Sequence, residues 1–378
     1  MPDPQVSGYE LITAVDRQIE KVRSRSLDLS FNELLDMHKN DELMIDPEYQ
    51  RLFRWSEGNQ SRFIESLILE MPIPPIYVIE LSEGTYELID GLQRISSYLH
   101  FRGQHPDRIN SDGTPSKLIL TDCDIVKELN GHTFDSLPAT LQIRLRRNFV
   151  RVEVIRKESD KRLRYYVFKR LKTGGELLSG QEIRNCTIRL IDNKFNDFII
   201  NLARNSDFKN CISNLSEERI EQKGDQELIL RFFTFKNDRE RYIGDISDFM
   251  TDYMEKVSDP TQKESPFDYA AEELLFEKTF KILNYTLEDA AFSGTNAQGN
   301  LVATFLFYHY EAFTLGLQPH LDKIDPYNKK VIAKLKEVLV SIKKDAEFKR
   351  MTTGGGKNTA RRLQERIAFV EQKVGKTL

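Results

Sequence analysis

The sequence predicts an α+β chain: a small mixed sheet with helices, followed by an all-α C-terminal domain. Three observations carry this. Two β-rich runs, Ile76-Tyr77-Val78-Ile79-Glu80-Leu81 and Thr85-Tyr86-Glu87-Leu88-Ile89, flank Ser82-Glu83-Gly84, a hairpin signal. Phe149-Val150-Arg151-Val152-Glu153-Val154-Ile155 alternates with period two, as a half-buried strand does. Beyond residue 188 strand signals fade and apolar residues recur at helical spacing, over 188–204, 226–236, 246–256, 267–284, 299–314, 328–343 and 358–373.

A chain of 378 residues is long enough for more than one domain. The expected division is an N-terminal helical extension over 1–26, an α+β domain over 27–187 and a helical domain over 188–378. A net charge of −4 gives no global pull toward nucleic acid and leaves only local patches. Cys123, Cys186 and Cys211 make neither a CxxC nor a zinc spacing, and so sparse a count fits a reducing compartment. No apolar run reaches membrane-spanning length, and Met1-Pro2-Asp3-Pro4 lacks the basic-then-apolar opening of a signal peptide. The expectation is a cytoplasmic protein without membrane association.

The elements follow in order. Leu11, Val15, Ile19 and Val22 mark a helix in the first 26 residues. Ser30-x-x-Glu33 has the form of a capping box and opens a short helix through Leu34, Leu35 and Met37. Pro47 rules out a central strand in the segment that follows. That segment carries Gln50, Arg51, Arg54 and Trp55. A lone tryptophan is commonly a core anchor, but the polar residues beside it gain little from burial. Residues 57–70 place Phe63, Ile64, Leu67 and Ile68 on one helix face, and Pro72-Ile73-Pro74-Pro75 stops that helix. Leu118-Ile119-Leu120 reads as a short strand ending in two solvated acids, Asp122 and Asp124. A further helix runs from Leu137-Pro138 to Leu145.

The chain is organised around Ile89-Asp90-Gly91-Leu92-Gln93-Arg94, where a strand turns into a helix. Gly91 lets a ligand approach the backbone closely. The first turn of a helix presents N–H groups and a positive dipole end, which suit an anion. Arg94 offers a planar fork for phosphate oxygens and Gln93 an amide. Asp90 has three possible uses: holding a metal, orienting a water, or capping the helix.

From Arg144 to Lys172 the chain is markedly basic and includes Arg147, Lys161, Arg164 and Lys169. Such a run is either a solvated face or a surface facing phosphates. Thr173-Gly174-Gly175 then makes a tight turn that can present backbone N–H groups to an anion. Ser179-x-x-Glu182 is a second capping box, with Arg184 just beyond it. Gly354-Gly355-Gly356-Lys357 is not a Walker motif, because Asn358 follows the lysine and no strand precedes it. The six histidines are scattered; His309, within the aromatic stretch Phe305–Tyr310, reads as a core or interfacial residue.

Four ordered motifs now stand together: Tyr49-Gln50-Arg51 with Trp55, Pro72-Ile73-Pro74-Pro75-Ile76, Asp90-Gly91-Leu92-Gln93-Arg94, and Thr173-Gly174-Gly175 through Leu178-Ser179 to Glu182-Ile183-Arg184-Asn185. Together they resemble the N-terminal domain of GmrSD-type, modification-dependent restriction endonucleases, over roughly residues 25–190. The resemblance implies a ParB/sulfiredoxin-like fold for this part of the chain. It also implies nucleotide binding and hydrolysis at an Asp-Gly-Gln-Gln-Arg motif, which lands on Asp90, Gly91, Gln93 and Arg94. The upstream Gln-Arg pair lands on Gln50 and Arg51. Leu92 stands where the family usually has Gln, and Lys172 where an Asn usually precedes the Thr-Gly-Gly turn. Longer relatives carry a C-terminal HNH nuclease domain; no HxH, HxxH or HNH arrangement occurs here.

The functional expectation is therefore a nucleotide-binding and NTP-hydrolysing component of a bacterial anti-phage or restriction-type system, with Mg²⁺, switching or assisting a partner nuclease or toxin. Asp90, Gln93 and Arg94 form the expected catalytic set, with Asp90 as the metal ligand. Gln50, Arg51, Arg54, Trp55, Pro74, Gly91, Thr173, Gly174, Gly175 and Arg184 are expected around the nucleotide. Two other classes stay open. One is a DNA-binding or DNA-nicking module using the basic patch of Arg144, Arg147, Lys161, Arg164 and Lys169. The other is a non-catalytic regulator or antitoxin-like partner. An oligomer is compatible with any of these.

Overall fold

The computed structural model describes residues 8–19, 23–45, 53, 55–159, 167, 170, 179–261, 267–296, 298–352 and 359–377. The chain divides into two compact units, Met1–Gly175 and Glu176–Leu378.

The first unit opens with α1 (Gly8–Ile19), β1 (Ser24–Ser30), α2 (Phe31–Lys39) and β2 (Leu43–Met44). It continues through α3 (Glu57–Ile68), β3 (Ile76–Ser82), β4 (Thr85–Asp90), α4 (Leu92–Phe101), α5 (Ala139–Arg147) and β5 (Phe149–Ile155). The sheet order is β1-β5-β3-β4-β2. β3 and β4 form the expected antiparallel hairpin, closed by Glu83-Gly84 with Gly84 at φ +80°. β5 lies parallel to β3, Ile76 opposite Val152, and antiparallel to β1, Ser24 opposite Ile155. A parallel neighbour needs a long crossover, and residues 91–148, with α4 and α5, supply it. The sheet is therefore small and mixed, as expected.

Strand β1 was not expected, because residues up to 26 read as a helical extension. Its sequence, Ser-Arg-Ser-Leu-Asp-Leu-Ser, is almost all polar, and its place comes from pairing with β5 along all seven residues. Leu118-Ile119-Leu120 is not a strand. Leu118 N donates to His100 O and Leu120 N to His132 O, so the segment is extended but joins no ladder. The loop after it is held by Glu65, a buried carboxylate on α3 that accepts from the backbone N–H groups of Asp124, Ile125 and Val126 at 3.3, 3.1 and 2.6 Å. The core between sheet and helices includes Phe31, Phe63, Ile64, Leu67, Ile76, Val78, Tyr98, Phe101, Leu145 and Val152, all buried.

The second unit is helical: α6 (Gly180–Ile188), α7 (Lys194–Leu202), α8 (Ser206–Cys211), α9 (Glu217–Glu221), α10 (Gly224–Asp238), α11 (Ile246–Ser258) and α12 (Tyr269–Leu287). After a short hairpin of β6 (Ser293–Thr295) and β7 (Leu301–Phe305) come α13 (Phe307–Gly316), α14 (Lys329–Lys344), α15 (Ala346–Thr352) and α16 (Ala360–Gly375). The hairpin corrects the all-α expectation. Residues 299–314 are not one helix: Leu301–Phe305 pairs with Ser293–Thr295, and the helix starts only at Phe307. An aromatic core, including Phe208, Phe232, Phe233, Phe276, Phe280 and Tyr310, runs through the unit. His309 sits in the core as expected, its Nδ1 3.0 Å from Ser293 O. Among the described residues no helix is long and apolar enough to cross a membrane.

Candidate functional site

β4 ends at Asp90 and α4 starts at Leu92, so one residue makes the whole turn. That residue is Gly91, with φ at +112°. A Cβ there would lie 2.9 Å from Ile76 Cγ1. The glycine thus answers a left-handed backbone and a close approach to β3. It also takes the N-cap position, with no side-chain cap. Helix capping, one of the three uses open to Asp90, is therefore not its role. Its Oδ2 lies 2.6 Å from Arg94 Nη2 instead. The two stand one helical turn apart, which puts them on one face. Arg94 Nη1 also donates to Pro74 O. The arginine side chain is 10% exposed and the carboxylate 34%. Arg94 is thus a buried strut between the proline segment and Asp90, and Asp90 is the more open of the pair.

Gln93, also buried, points its amide elsewhere. Its Oε1 accepts from Trp55 N at 3.1 Å, and its own carbonyl accepts from Ser97 Oγ at 2.7 Å. Trp55 O accepts from Gln60 Nε2 at 2.8 Å, and Gln60 Oε1 lies 2.9 Å from His100 Nδ1. The network assigns the proton of that pair to His100 Nδ1. The Trp55 ring meets Phe63 edge-on, with centroids 5.9 Å apart. Trp55 is therefore half-buried against Phe63 and is also the backbone partner of the turn. Beside it, Phe53 stacks on His105 at 5.2 Å, with Arg108 over the same ring at 5.4 Å. Burial pushes His105 down to about 4 against the opposing charge of Asp107. Burial, then the charge of Arg108, lowers His100. Both rings are neutral near pH 7.

Gln60, His100, Phe53 and His105 were not foreseen. Each lies in an amphipathic helix or a loop, and no local pattern shows that it meets the turn. The spacing of Gln60 and Trp55 was the one available signal.

The other expected residues divide. Gln50, Arg51, Arg54, Thr173, Gly174, Gly175, Lys161, Arg164 and Lys169 lie outside the described residues. Pro74 contributes its carbonyl, as above. Arg144 and Arg147 are on α5 and line an open groove of about 750 Å³ with Met71, Asn148, Phe149 and Arg151. Arg144 also reaches Glu70 at 3.5 Å and donates to Ile68 O. The residues lining this groove do not include Asp90 or Arg94. Arg184 lies in the second unit, where it donates to Gln181, Ser247 and Thr251 and pairs with Glu227 at 3.3 Å. The Ser179–Glu182 capping box forms in both directions.

Among the described residues no group of three or more His, Cys, Asp or Glu could hold a metal. Mg²⁺ is commonly held by only one or two carboxylates, with phosphates and water completing the shell. Asp90, part-exposed at a helix N-terminus, fits that single-carboxylate pattern.

A family model described as GmrSD restriction endonuclease, N-terminal domain, matches residues 31–189. No curated protein and no solved structure matches the chain. The matched stretch takes in Trp55, Pro74, the Asp90–Arg94 turn and the capping box at Ser179. Over residues 31–189, less than half of its length, the chain is therefore similar to the GmrSD restriction endonuclease N-terminal domain.

Proposed function

We propose that the Asp90–Arg94 turn binds a nucleoside triphosphate and hydrolyses it, within a restriction-type defence system where turnover switches or assists a nuclease. The observation that carries this reading is the brace from Pro74 O through Arg94 to Asp90. It holds one part-exposed carboxylate beside the first turn of α4, whose N–H groups favour phosphate. Asp90 orients the attacking water or the cation. Arg94 acts through Asp90 as a positioning residue, and Gln93 fixes the Trp55 segment against the turn. Mg²⁺, held by Asp90 when bound, neutralises phosphate charge. Leu92, where the family usually has Gln, is 3% exposed and packs inward, so its apolar character leaves the rest of the turn intact.

The test is nucleotide binding and phosphate release by the full chain, its Asp90→Asn variant and its Arg94→Lys variant. Asp90→Asn keeps the shape of the turn and is expected to lower turnover about 100-fold or more, with nucleotide affinity changed far less. Lysine keeps the charge but lacks the planar fork whose two nitrogens reach Pro74 O and Asp90 separately, so Arg94→Lys is expected to fall toward the same turnover. Undiminished phosphate release by Asp90→Asn would falsify the assignment.

A second reading, DNA binding, draws on the groove beside α5, where Arg144, Arg147 and Arg151 surround Phe149, a ring 67% exposed. Phosphate contacts predict an affinity that falls steeply with salt. DNA association insensitive to salt and to Arg147→Ala counts against it.

A further inference from the structure

Helix α1 is left uncovered by the fold of its own unit. Tyr9, Leu11, Ile12 and Val15 recur at spacings of three and four, so they share one face, and each is half exposed or more. Of residues 8–17, only Thr13 is not exposed. A helix of 12 residues is marginal in water by itself. A contiguous exposed apolar face on so short an element marks a surface that a partner covers. α1 carries Glu10 and Asp16 against Arg17. Asp16 lies one turn beyond Ile12, at the border of the apolar face, and makes no ion pair among the described residues.

The same unit offers a concave counterpart in the groove beside α5. Met71, Ile143 and Phe149 are exposed there, between Arg144, Arg147 and Arg151. The lining holds these three arginines and a single acid, Glu70. Arg144 meets Glu70 at 3.5 Å and Arg151 meets Asp28 at 3.3 Å, all four side chains open to solvent, where an ion pair is weak. Arg147 has no partner among the described residues. The groove encloses about 750 Å³. A helix of 12 residues, about 10 Å across and about 18 Å long, occupies about 1,400 Å³, so one sunk to half its depth fills it. A bare anion leaves Met71, Ile143 and Phe149 in water, and a basic helix meets three arginines. An apolar helix edged by an acid answers both, and α1 is such a helix. Within one chain α1 and the groove both stay exposed, so the match is to a second copy.

We propose that α1 of one chain lies in the α5 groove of a second copy, which returns its own α1, closing a two-fold dimer by exchange of arms. Tyr9, Ile12 and Val15 cover Met71, Ile143 and Phe149, and Asp16 comes to Arg147. The two contacts are equivalent by symmetry. Together they bury twice the area of one, which carries two short helices toward the about 1,200–2,000 Å² of a stable interface. The dimer does not depend on the nucleotide reading of Asp90, and it closes the groove to DNA.

The experiment is sedimentation equilibrium of the full chain over a range of concentrations. It compares the wild type, Ile12→Asp, two groove variants (Phe149→Asp and Arg147→Glu), and an equimolar mixture of Ile12→Asp with Phe149→Asp. All three positions are exposed, so the fold stays in place, which a thermal melt checks. The wild type is expected to be a dimer. Ile12→Asp and Phe149→Asp each spoil both contacts and are expected to weaken it about a hundredfold or more, with Arg147→Glu weakening it in the same direction. The mixture is expected to regain a heterodimer, because the intact α1 of one variant meets the intact groove of the other. A wild type that is monomeric throughout overturns the proposal. So does a dimer lost in Ile12→Asp but kept in both groove variants, which means that α1 pairs with α1. A dimer kept in every variant, or a mixture no more associated than its two components, overturns it as well.

Discussion

Gly91 holds φ at +112°, and a methyl group there would meet Ile76 Cγ1 at 2.9 Å. Ile76 begins β3 and is fully buried, so it has little room to yield. Gly91→Ala is therefore expected to cost about 1–3 kcal/mol through backbone strain, read as a lower urea midpoint. Relief of that strain rotates the peptide after Asp90 and pulls its carboxylate from Arg94. Phosphate release should accordingly drop even under conditions where the variant is fully folded. A variant with unchanged midpoint and unchanged turnover contradicts the turn as described. This turn was legible in the sequence because Asp90, Gly91 and Arg94 are contiguous and one helical turn fixes their geometry. The partners of Gln93 were not. Trp55 reaches it from 38 positions earlier in the chain, with Gln60 holding the Trp55 carbonyl behind it, a meeting decided by the packing of α3 on α4 rather than by any local pattern.

At the scale of elements, helices with sharp caps were readable and polar strands were not. Ser179 Oγ accepts from Glu182 N at 3.2 Å and donates to Gln222 O at 2.7 Å, while Glu182 returns a bond to Ser179 N at 2.9 Å. Two orphan donors of α6 are thus met, and the helix start is tied to the residue before Lys223. Ser179→Ala removes both hydroxyl bonds and is expected to cost about 1–2 kcal/mol, whereas Ser179→Thr is expected to recover most of it. Equal stability of the alanine and threonine variants would show that the box contributes nothing. Strand β1 escaped notice because Leu27 and Leu29 are its only apolar residues, and β5 supplies its register. β7 was misread for the opposite reason. Leu301–Phe305 is apolar and runs straight into the aromatic start of α13, so periodicity alone cannot mark the change at Leu306.

The molecule as a whole carries an acid-sensitive histidine in each unit. Burial holds His105 down to about 4 in the first unit. In the second, burial and then the charge of Lys343 hold His309 down to about 3, with Ser293 O opposing. An unfolded chain protonates histidine near about 6.5. Below that pH the unfolded chain takes up protons that the folded units refuse. The histidines' share of stability is thus fully present above about 6.5 and is lost as pH falls, by up to about 1.4 kcal/mol per pH unit for each histidine. The loss continues to about pH 4 in the first unit and about pH 3 in the second. His100, also lowered by burial, adds to the first unit with the same sign. Asp225, raised by burial, acts in the opposite direction in the second. The single tryptophan, Trp55, lies in the first unit, so fluorescence follows that unit, while far-ultraviolet circular dichroism is weighted toward the helices of the second. Urea midpoints taken by fluorescence are expected to be level from pH 8 to 7 and to decline below about 6.5. Dichroism midpoints already fall from pH 8 to 7, because burial lowers Lys343 of the second unit to about 7 and the unfolded chain takes up the proton it refuses. They continue to fall below about 6.5 as His309 adds its share. His105→Gln should flatten the fluorescence curve alone, leaving the share due to His100, and His309→Gln the dichroism curve alone. Unaltered slopes in both variants would mean that neither ring is refused its proton by burial, and the acid response would have to come from other groups.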